Sequence, residues 1–186
     1  MKAHILLICG FVCLAVFLNA VENPNVPDLR LEEKPSFHLM GKSLRDNRDP
    51  GTLLMLWLEF FKTASIVPKP VPGVEYGLYA YGDGKPPTTD SQVIYLAGYE
   101  VPNLNIKPSL LNATTIPAAR YAVFEHIGSF TNILGTIDSI FSTWLPAHNL
   151  RPAAQFYFER YDEDSKIESE NSVIEIWVPV EIKNSN

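Results

Sequence analysis

Along residues 129–146 the apolar positions Phe130, Ile133, Leu134, Ile137, Ile140, Phe141, Trp144 and Leu145 recur at steps of three and four, which places them on one stripe of a 3.6-residue repeat. The pattern predicts a long amphipathic helix. Ser129 or Thr131 is suited to cap its start, and Pro146 marks its stop, because the residue before a proline is driven out of the helical region. Strand-like runs flank it, beginning at Ile116 on the upstream side. Downstream, residues 155–161 (QFYFERY) set Phe156 and Phe158 on one face and Gln155, Tyr157, Glu159 and Tyr161 on the other. Residues 172–180 (SVIEIWVPV) divide more cleanly, with Ile174, Ile176, Val178 and Val180 opposite Glu175 and Trp177. The aliphatic face of that last strand is the natural seat for the helix.

The first half reads in the same order. Residues 36–41 form a strand, and a polar loop follows. The run 53–61 (LLMLWLEFF), entered through Asp49-Pro50-Gly51-Thr52, is apolar nearly all round and reads as a buried helix. Residues 74–81 (VEYGLYAY) then turn through Gly82-Asp83-Gly84 toward a partner strand at 92–101. Shifted by 80 positions, Phe61 meets Phe141, Leu78 meets Phe158, Tyr79 meets Glu159, Ile94 meets Ile174 and Ala97 meets Trp177. A strand-helix-strand-strand unit therefore occurs twice. Joined edge to edge, two such units give an α+β fold: a larger antiparallel sheet with both helices on one face and the other face curved and open.

Composition adds boundaries. The chain has 186 residues, 46% of them apolar, enough for one domain with a substantial core. Residues 1–20 carry a weakly positive start, an apolar run of 13 residues from Ile5 to Phe17, and a small-residue end at Ala20, the arrangement of an export signal peptide. A membrane-spanning helix needs roughly 20 residues, so a removed leader is expected and a retained membrane anchor is the alternative. Residues 21–35, with three prolines, read as an extended linker, residues 36–181 as the domain and 182–186 as a tail. Both cysteines, Cys9 and Cys13, fall in the leader, and a mature chain without disulfides suits a periplasmic or secreted bacterial product. Without the leader the chain keeps 14 basic and 21 acidic residues, a net charge of −7. That balance and the lack of a basic cluster argue against nucleic acid as a partner.

The chemistry on offer is aromatic and acidic. The alternation assigns Tyr157, Glu159, Tyr161, Glu175 and Trp177 of the second half, with Gly77, Tyr79, Tyr81, Tyr95 and Tyr99 of the first, to the uncovered face. Such a surface suits a flat, lipophilic organic molecule bearing positive charge, since ring faces attract cations by roughly 0.5–2 kcal/mol per contact and a desolvated carboxylate needs a counter-charge. Gly77 and Ala97 would leave room for it. His38, His126 and His148 lie far apart without ligand spacing, so neither a metal site nor a cofactor is expected. No nucleophile elbow or phosphate loop occurs. If the protein is an enzyme, Glu159 is its general base, with Tyr157 or Trp177 beside it.

The runs IPAARYAVFEHIGSF, WLP, FYFERYDED and VIEIWVPV, together with Phe37–Gly41, Trp57, Tyr76-Gly77 and residues 95–101 (YLAGYEV), resemble the GyrI-like domain, also known as the effector-binding domain of AraC-type transcription activators. The resemblance implies two strand-helix-strand-strand modules about a pseudo-twofold axis, with a ligand cleft between them. It also implies binding of small, often cationic and hydrophobic compounds through aromatic residues and an acid on a second-module strand, matched here by Glu159 in FERY, with Glu175 as the other claimant. Some members resemble a protein inhibitor of DNA gyrase, and a hydrolytic branch opens cyclopropane-bearing natural products with a glutamate in the same cleft. The leader, and the lack of a helix-turn-helix segment, set this sequence apart from the regulators. A stand-alone exported version is expected.

Overall fold

The computed structural model describes residues 27, 29–46, 48–82, 92–162, 165 and 169–183. Residues 1–20, read as a leader, residues 21–26 and 28 of the stretch 21–35 read as a linker, residues 83–91 with most of the expected turn, and residues 184–186 of the tail lie outside them. The strands among these residues are β1 (Arg30–Lys34), β2 (Phe37–Asp46), β3 (Glu75–Ala80), β4 (Val93–Val101), β5 (Asn112–Ile116), β6 (Ala119–Ile127), β7 (Leu150–Pro152), β8 (Phe156–Tyr161) and β9 (Val173–Ile182). Eight of them stand antiparallel in the order β1-β6-β9-β8-β3-β4-β2-β5, and the short β7 pairs with β9. With helices on one face of this sheet, the α+β class is as expected. Two edge strands go beyond the sequence reading. Residues 30–34, inside the stretch read as a linker, pair with β6, and residues 112–116, which begin ahead of the strand expected from Ile116, pair with β2.

Helix α1 (Pro50–Thr63) begins where expected, because the Asp49 carboxylate accepts from the Thr52 backbone N–H at 2.8 Å and Pro50 occupies the first turn. It is amphipathic rather than buried throughout: Leu53, Leu56, Trp57 and Phe60 face the sheet, while Met55, Leu58 and Phe61 are exposed. The second helix is composite. A 3₁₀ turn (Phe130–Asn132) leads into α2 (Ile133–Ser139), a π turn (Ile140–Trp144) and a last short α3 (Leu145–Ala147). Pro146 lacks the N–H that an α-helix would direct at the Ser142 carbonyl, and its ring crowds that carbonyl. The wider turn accommodates this, with the Leu145 N–H bonding five residues back to Ile140.

The repeat is real, and its axis is visible in the register. Leu78 lies directly opposite Phe158 where β3 pairs with β8, so two residues 80 apart meet at the pseudo-twofold. The same shift superposes the buried positions Leu53, Trp57 and Phe60 on Ile133, Ile137 and Ile140. The last strands need 81 instead. Leu78 pairs with Leu96 and Phe158 with Trp177, which makes Leu96, not Ala97, the counterpart of Trp177.

The sheet cannot be flat. β1 passes to β2 through Pro35 and Ser36, and β5 passes to β6 through Pro117 and Ala118. Each pair is six strand spacings apart in the sheet order, about 29 Å across a flat sheet, and such a link spans at most about 11 Å. The two edges therefore roll toward each other. The Ser36 hydroxyl bonds the Ile116 carbonyl at 2.9 Å, and Phe37 reaches Phe158 at 5.6 Å between centroids although three strand spacings separate β2 from β8. The face away from the helices is thus rolled inward and filled by Phe37, Leu39, Tyr76, Leu78, Tyr121, Phe158 and Trp177. This corrects the expectation of an open face there. The opposite face carries α1 and the composite helix over a second, larger core.

Close backbone approach within the roll rests on two glycines. Gly41 and Gly98 pair across β2 and β4, and a Cβ built on Gly41 would meet the Ala97 carbonyl oxygen at 1.9 Å. Gly41→Ala is expected to destabilise the fold by about 3 kcal/mol, read as a lowered urea midpoint with unchanged m-value.

Candidate functional site

Strand pairing selects the residues of the site. Gly77 stands opposite Glu159 and Tyr79 opposite Tyr157 across the pseudo-twofold, while Tyr95 of β4 pairs with Tyr79. All these side chains lie on the helix-bearing face. Glu159, Tyr79, Tyr95 and Tyr157 are fully buried, and Tyr161 nearly so. Tyr79 stacks on Tyr157 at 4.6 Å with 13° between the rings and tilts against Tyr95 at 4.5 Å. Phe141 from the π turn closes over Tyr157 at 5.6 Å, and Trp57 of α1 packs edge-on against Tyr161 at 5.4 Å. Gly77 is required by close approach, because a Cβ there would meet the Tyr95 hydroxyl at 2.3 Å and Glu159 Oε2 at 2.8 Å.

Hydrogen bonds serve only one side of the carboxylate. The Tyr161 hydroxyl donates to Glu159 Oε2 at 2.6 Å, and the Tyr95 hydroxyl approaches the same oxygen at 3.5 Å while accepting from Trp57 Nε1 at 2.8 Å. Glu159 Oε1 and the Tyr79 and Tyr157 hydroxyls are buried without a partner in hydrogen-bond geometry. Tyr79 faces Glu159, and Arg48 faces Tyr157, without meeting that geometry. Arg48, in the loop ahead of α1, is itself buried and stands 3.5 Å from Asp138 of α2. Its backbone has φ 68°, in the left-handed region that non-glycine residues occupy at a cost of roughly 1–2 kcal/mol.

Burial pushes Glu159 up to about 7, against the opposing influence of the Tyr161, Tyr79 and Tyr95 hydroxyls and the Arg48 charge. Burial and the neighbouring carboxylate raise Tyr79, Tyr95 and Tyr161 well above the usual tyrosine range, and burial raises Tyr157 likewise. Their hydroxyls stay protonated at neutral pH. Glu159 is the group of this cluster that titrates there.

A cleft opens beside the cluster. It has a volume of about 90 Å³ between Leu54, Trp57 and Phe61 of α1, Phe130 at the start of the second helix, Glu75, Tyr161 and Ser165. It continues through Glu75, Tyr161 and Ser165 into a broader, open hollow of about 530 Å³ bounded by residues 70–74 and Tyr99. Tyr161 stands between the cleft and Glu159. Glu75 was not singled out from the sequence; it lies in the wall of both hollows, and burial raises its pKa.

Of the eight residues expected to line the site, Tyr79, Tyr95, Tyr157, Glu159 and Tyr161 converge, and Tyr99 borders the outer hollow, packed on Phe60 at 4.9 Å. Glu175 and Trp177 do not join them. Phe158 pairs with Trp177 and Glu159 with Ile176, so Trp177 stacks on Phe158 inside the roll, at 5.6 Å. Glu175, there too, accepts from Trp177 Nε1 and Arg160, each at 3.0 Å, and pairs with Arg30. Burial pushes Glu175 upward, but the bonds from Arg30 and Trp177 and the charges of Arg30 and Arg160 hold it below the usual range. The alternation in β9 places these two rightly, opposite the helices; it is Tyr157, Glu159 and Tyr161, expected on the uncovered face, that the structure turns toward the helices, because Phe158 and not Glu159 shares the face of Trp177. Trp57 carried a signal as the polar-tipped member of an apolar run. Arg48, one charge in a polar loop, carried none.

Residues 27–181 match the family model of the GyrI-like small molecule binding domain. The chain belongs to this family. It is 29% identical over 153 residues to the transcriptional regulator BrlR of Pseudomonas aeruginosa, covering 81% of this chain and 54% of the regulator, so the chain spans about half the length of that relative. The fold is similar to SAV2435, solved bound to tetraphenylphosphonium, with TM-score 0.64 at 16% identity over 83% of this chain and 94% of that one. It is also similar to the C-terminal domain of EcmrR, with TM-score 0.58 at 16% identity over 83% and 98% of the two chains.

The raised carboxyl sets a pH dependence of stability. Between its ordinary value of 4.5 and about 7 the folded state holds a proton that the unfolded chain releases, so stability falls as pH rises through this window, by roughly 3 kcal/mol in all. Glu159→Gln should remove most of this fall and be the more stable protein at pH 8, as urea midpoints of both proteins at pH 5 and pH 8 will show.

Proposed function

We propose that this GyrI-like domain binds a small, hydrophobic, cationic organic molecule in the cleft between α1 and the composite helix, with Glu159 as its central anion. The observation that carries the reading is a carboxylate buried among tyrosines with one oxygen lacking a hydrogen-bond partner. A cation in that chamber meets the free oxygen directly and ring faces around it, a combination that water fills poorly. Glu75 in the wall attracts the same charge on the way in, and the guest reaches Glu159 from the cleft by displacing the Tyr161 side chain that stands between them. Tetraphenylphosphonium, bound in the similar SAV2435, is the natural probe.

Ionised Glu159 is the binding form, so affinity rises as pH increases through about 7. Displacement of a cationic dye by tetraphenylphosphonium should show Glu159→Gln binding at least about tenfold more weakly than the wild type, a loss near 1.4 kcal/mol, with no pH dependence near 7. Unchanged affinity in that variant would remove Glu159 from the site. Turnover of a strained cyclopropane substrate, lost in the same variant, would favour the hydrolase alternative.

We further propose, from the leader-like pattern of residues 1–20, that this binding takes place outside the cytoplasm. Intact mass of the exported product is expected to correspond to a chain beginning at Val21. A membrane-bound product retaining Met1 would instead identify an anchor.

A further inference from the structure

Arg48 enters the chamber from the end away from the cleft. Along β8 the helix-facing side chains run Tyr157, Glu159, Tyr161; the cleft opens at Tyr161, and the Arg48 guanidinium faces Tyr157. The residue belongs to the first module, yet its Nη1 stands 3.5 Å from Asp138 of the second module's helix. The guanidinium is wholly removed from solvent, whereas the Asp138 side chain is 42% exposed. A guanidinium charge taken out of water has to be met by anions and ring faces. Asp138 stands 3.5 Å from the Arg48 guanidinium, whose charge acts on Glu159, Tyr79 and Tyr157 inside the same buried cluster. A left-handed backbone at an arginine persists only where the surroundings demand it.

We propose, resting on the ligand-binding reading above, that Arg48 is the chamber's own cation and sets its selectivity: a cationic guest engages Glu159 only in competition with the Arg48 guanidinium. The ligand class follows from the competitor. Cations whose charge is spread and weakly hydrated, such as phosphonium, amidinium or guanidinium groups on an aromatic frame, replace it against the tyrosines. Compact ammonium ions, which hold water strongly, compete poorly.

The test is calorimetric titration, at pH 9 so that Glu159, which the Arg48 charge helps to keep ionised, carries its charge with and without the guanidinium, of tetraphenylphosphonium into the wild type, Arg48→Asn, Arg48→Lys, Glu159→Gln and the Arg48→Asn/Glu159→Gln double variant. Asparagine tolerates the left-handed backbone and removes the charge. Arg48→Asn should bind about tenfold more tightly than the wild type, the scale on which a nearby opposite charge acts on a carboxylate; Arg48→Lys should stay within about threefold of the wild type; and the gain should vanish in the double variant. Unchanged or weaker binding by folded Arg48→Asn, with binding still lost in Glu159→Gln, overturns the role of Arg48 and leaves the ligand reading standing. Binding to neither the wild type nor Arg48→Asn overturns both. A readout on the wild type does not depend on the variants folding: the Arg48 Nε–H, buried in the free protein, should exchange faster with solvent at saturating tetraphenylphosphonium, and an unchanged exchange rate overturns the proposal.

Discussion

The register of β3 against β8 is the constraint on which the site depends. Leu78 opposite Phe158 marks the pseudo-twofold, and one residue to either side the pairing sets Gly77 against Glu159 and Tyr79 against Tyr157. Both strands are interior, with β4 and β9 on their outer sides, so neither can slide without breaking two ladders. A slip by one residue would turn the carboxylate into the rolled core and present Phe158 to the helices. The duplicated architecture thus places unlike residues at equivalent distances from one axis, a glycine on one strand making space for the acid on the other.

Two cores divide the work. The rolled face is packed with rings and aliphatic side chains, and its charged rim of Arg30, Arg160, Asp162 and Glu175 is satisfied by ion pairs. The helix face is larger but contains a polar chamber in which a carboxyl oxygen and two tyrosine hydroxyls find no partner. Such groups weaken a fold relative to apolar residues of the same shape. The rolled core and the backbone ladders supply the stability that allows the chamber to remain polar.

Helix shape serves the same end. Pro146 forces a wide turn, and that turn carries Phe141 onto Tyr157 and Tyr81. At the other end Trp57 and Tyr161 close the chamber toward the cleft. The carboxyl is therefore shut off from bulk solvent, which is why burial dominates its titration.

Much of this was legible in residue order. The stripe from Phe130 to Leu145, the alternation in FYFERY and VIEIWVPV, the Asp49 cap and the 80-residue repeat are local patterns, and local patterns follow from the helical and strand periods alone. They sufficed for the two-module α+β fold and for grouping five of the eight site residues. Which face of β9 accompanies which face of β8, that residues 30–34 and 112–116 complete the sheet, that the edges roll together and that Arg48 crosses between modules were decided by tertiary structure. These depend on pairing register and on contacts between residues far apart in sequence; Arg48 and Glu159, 111 positions apart, leave no periodic trace of their meeting.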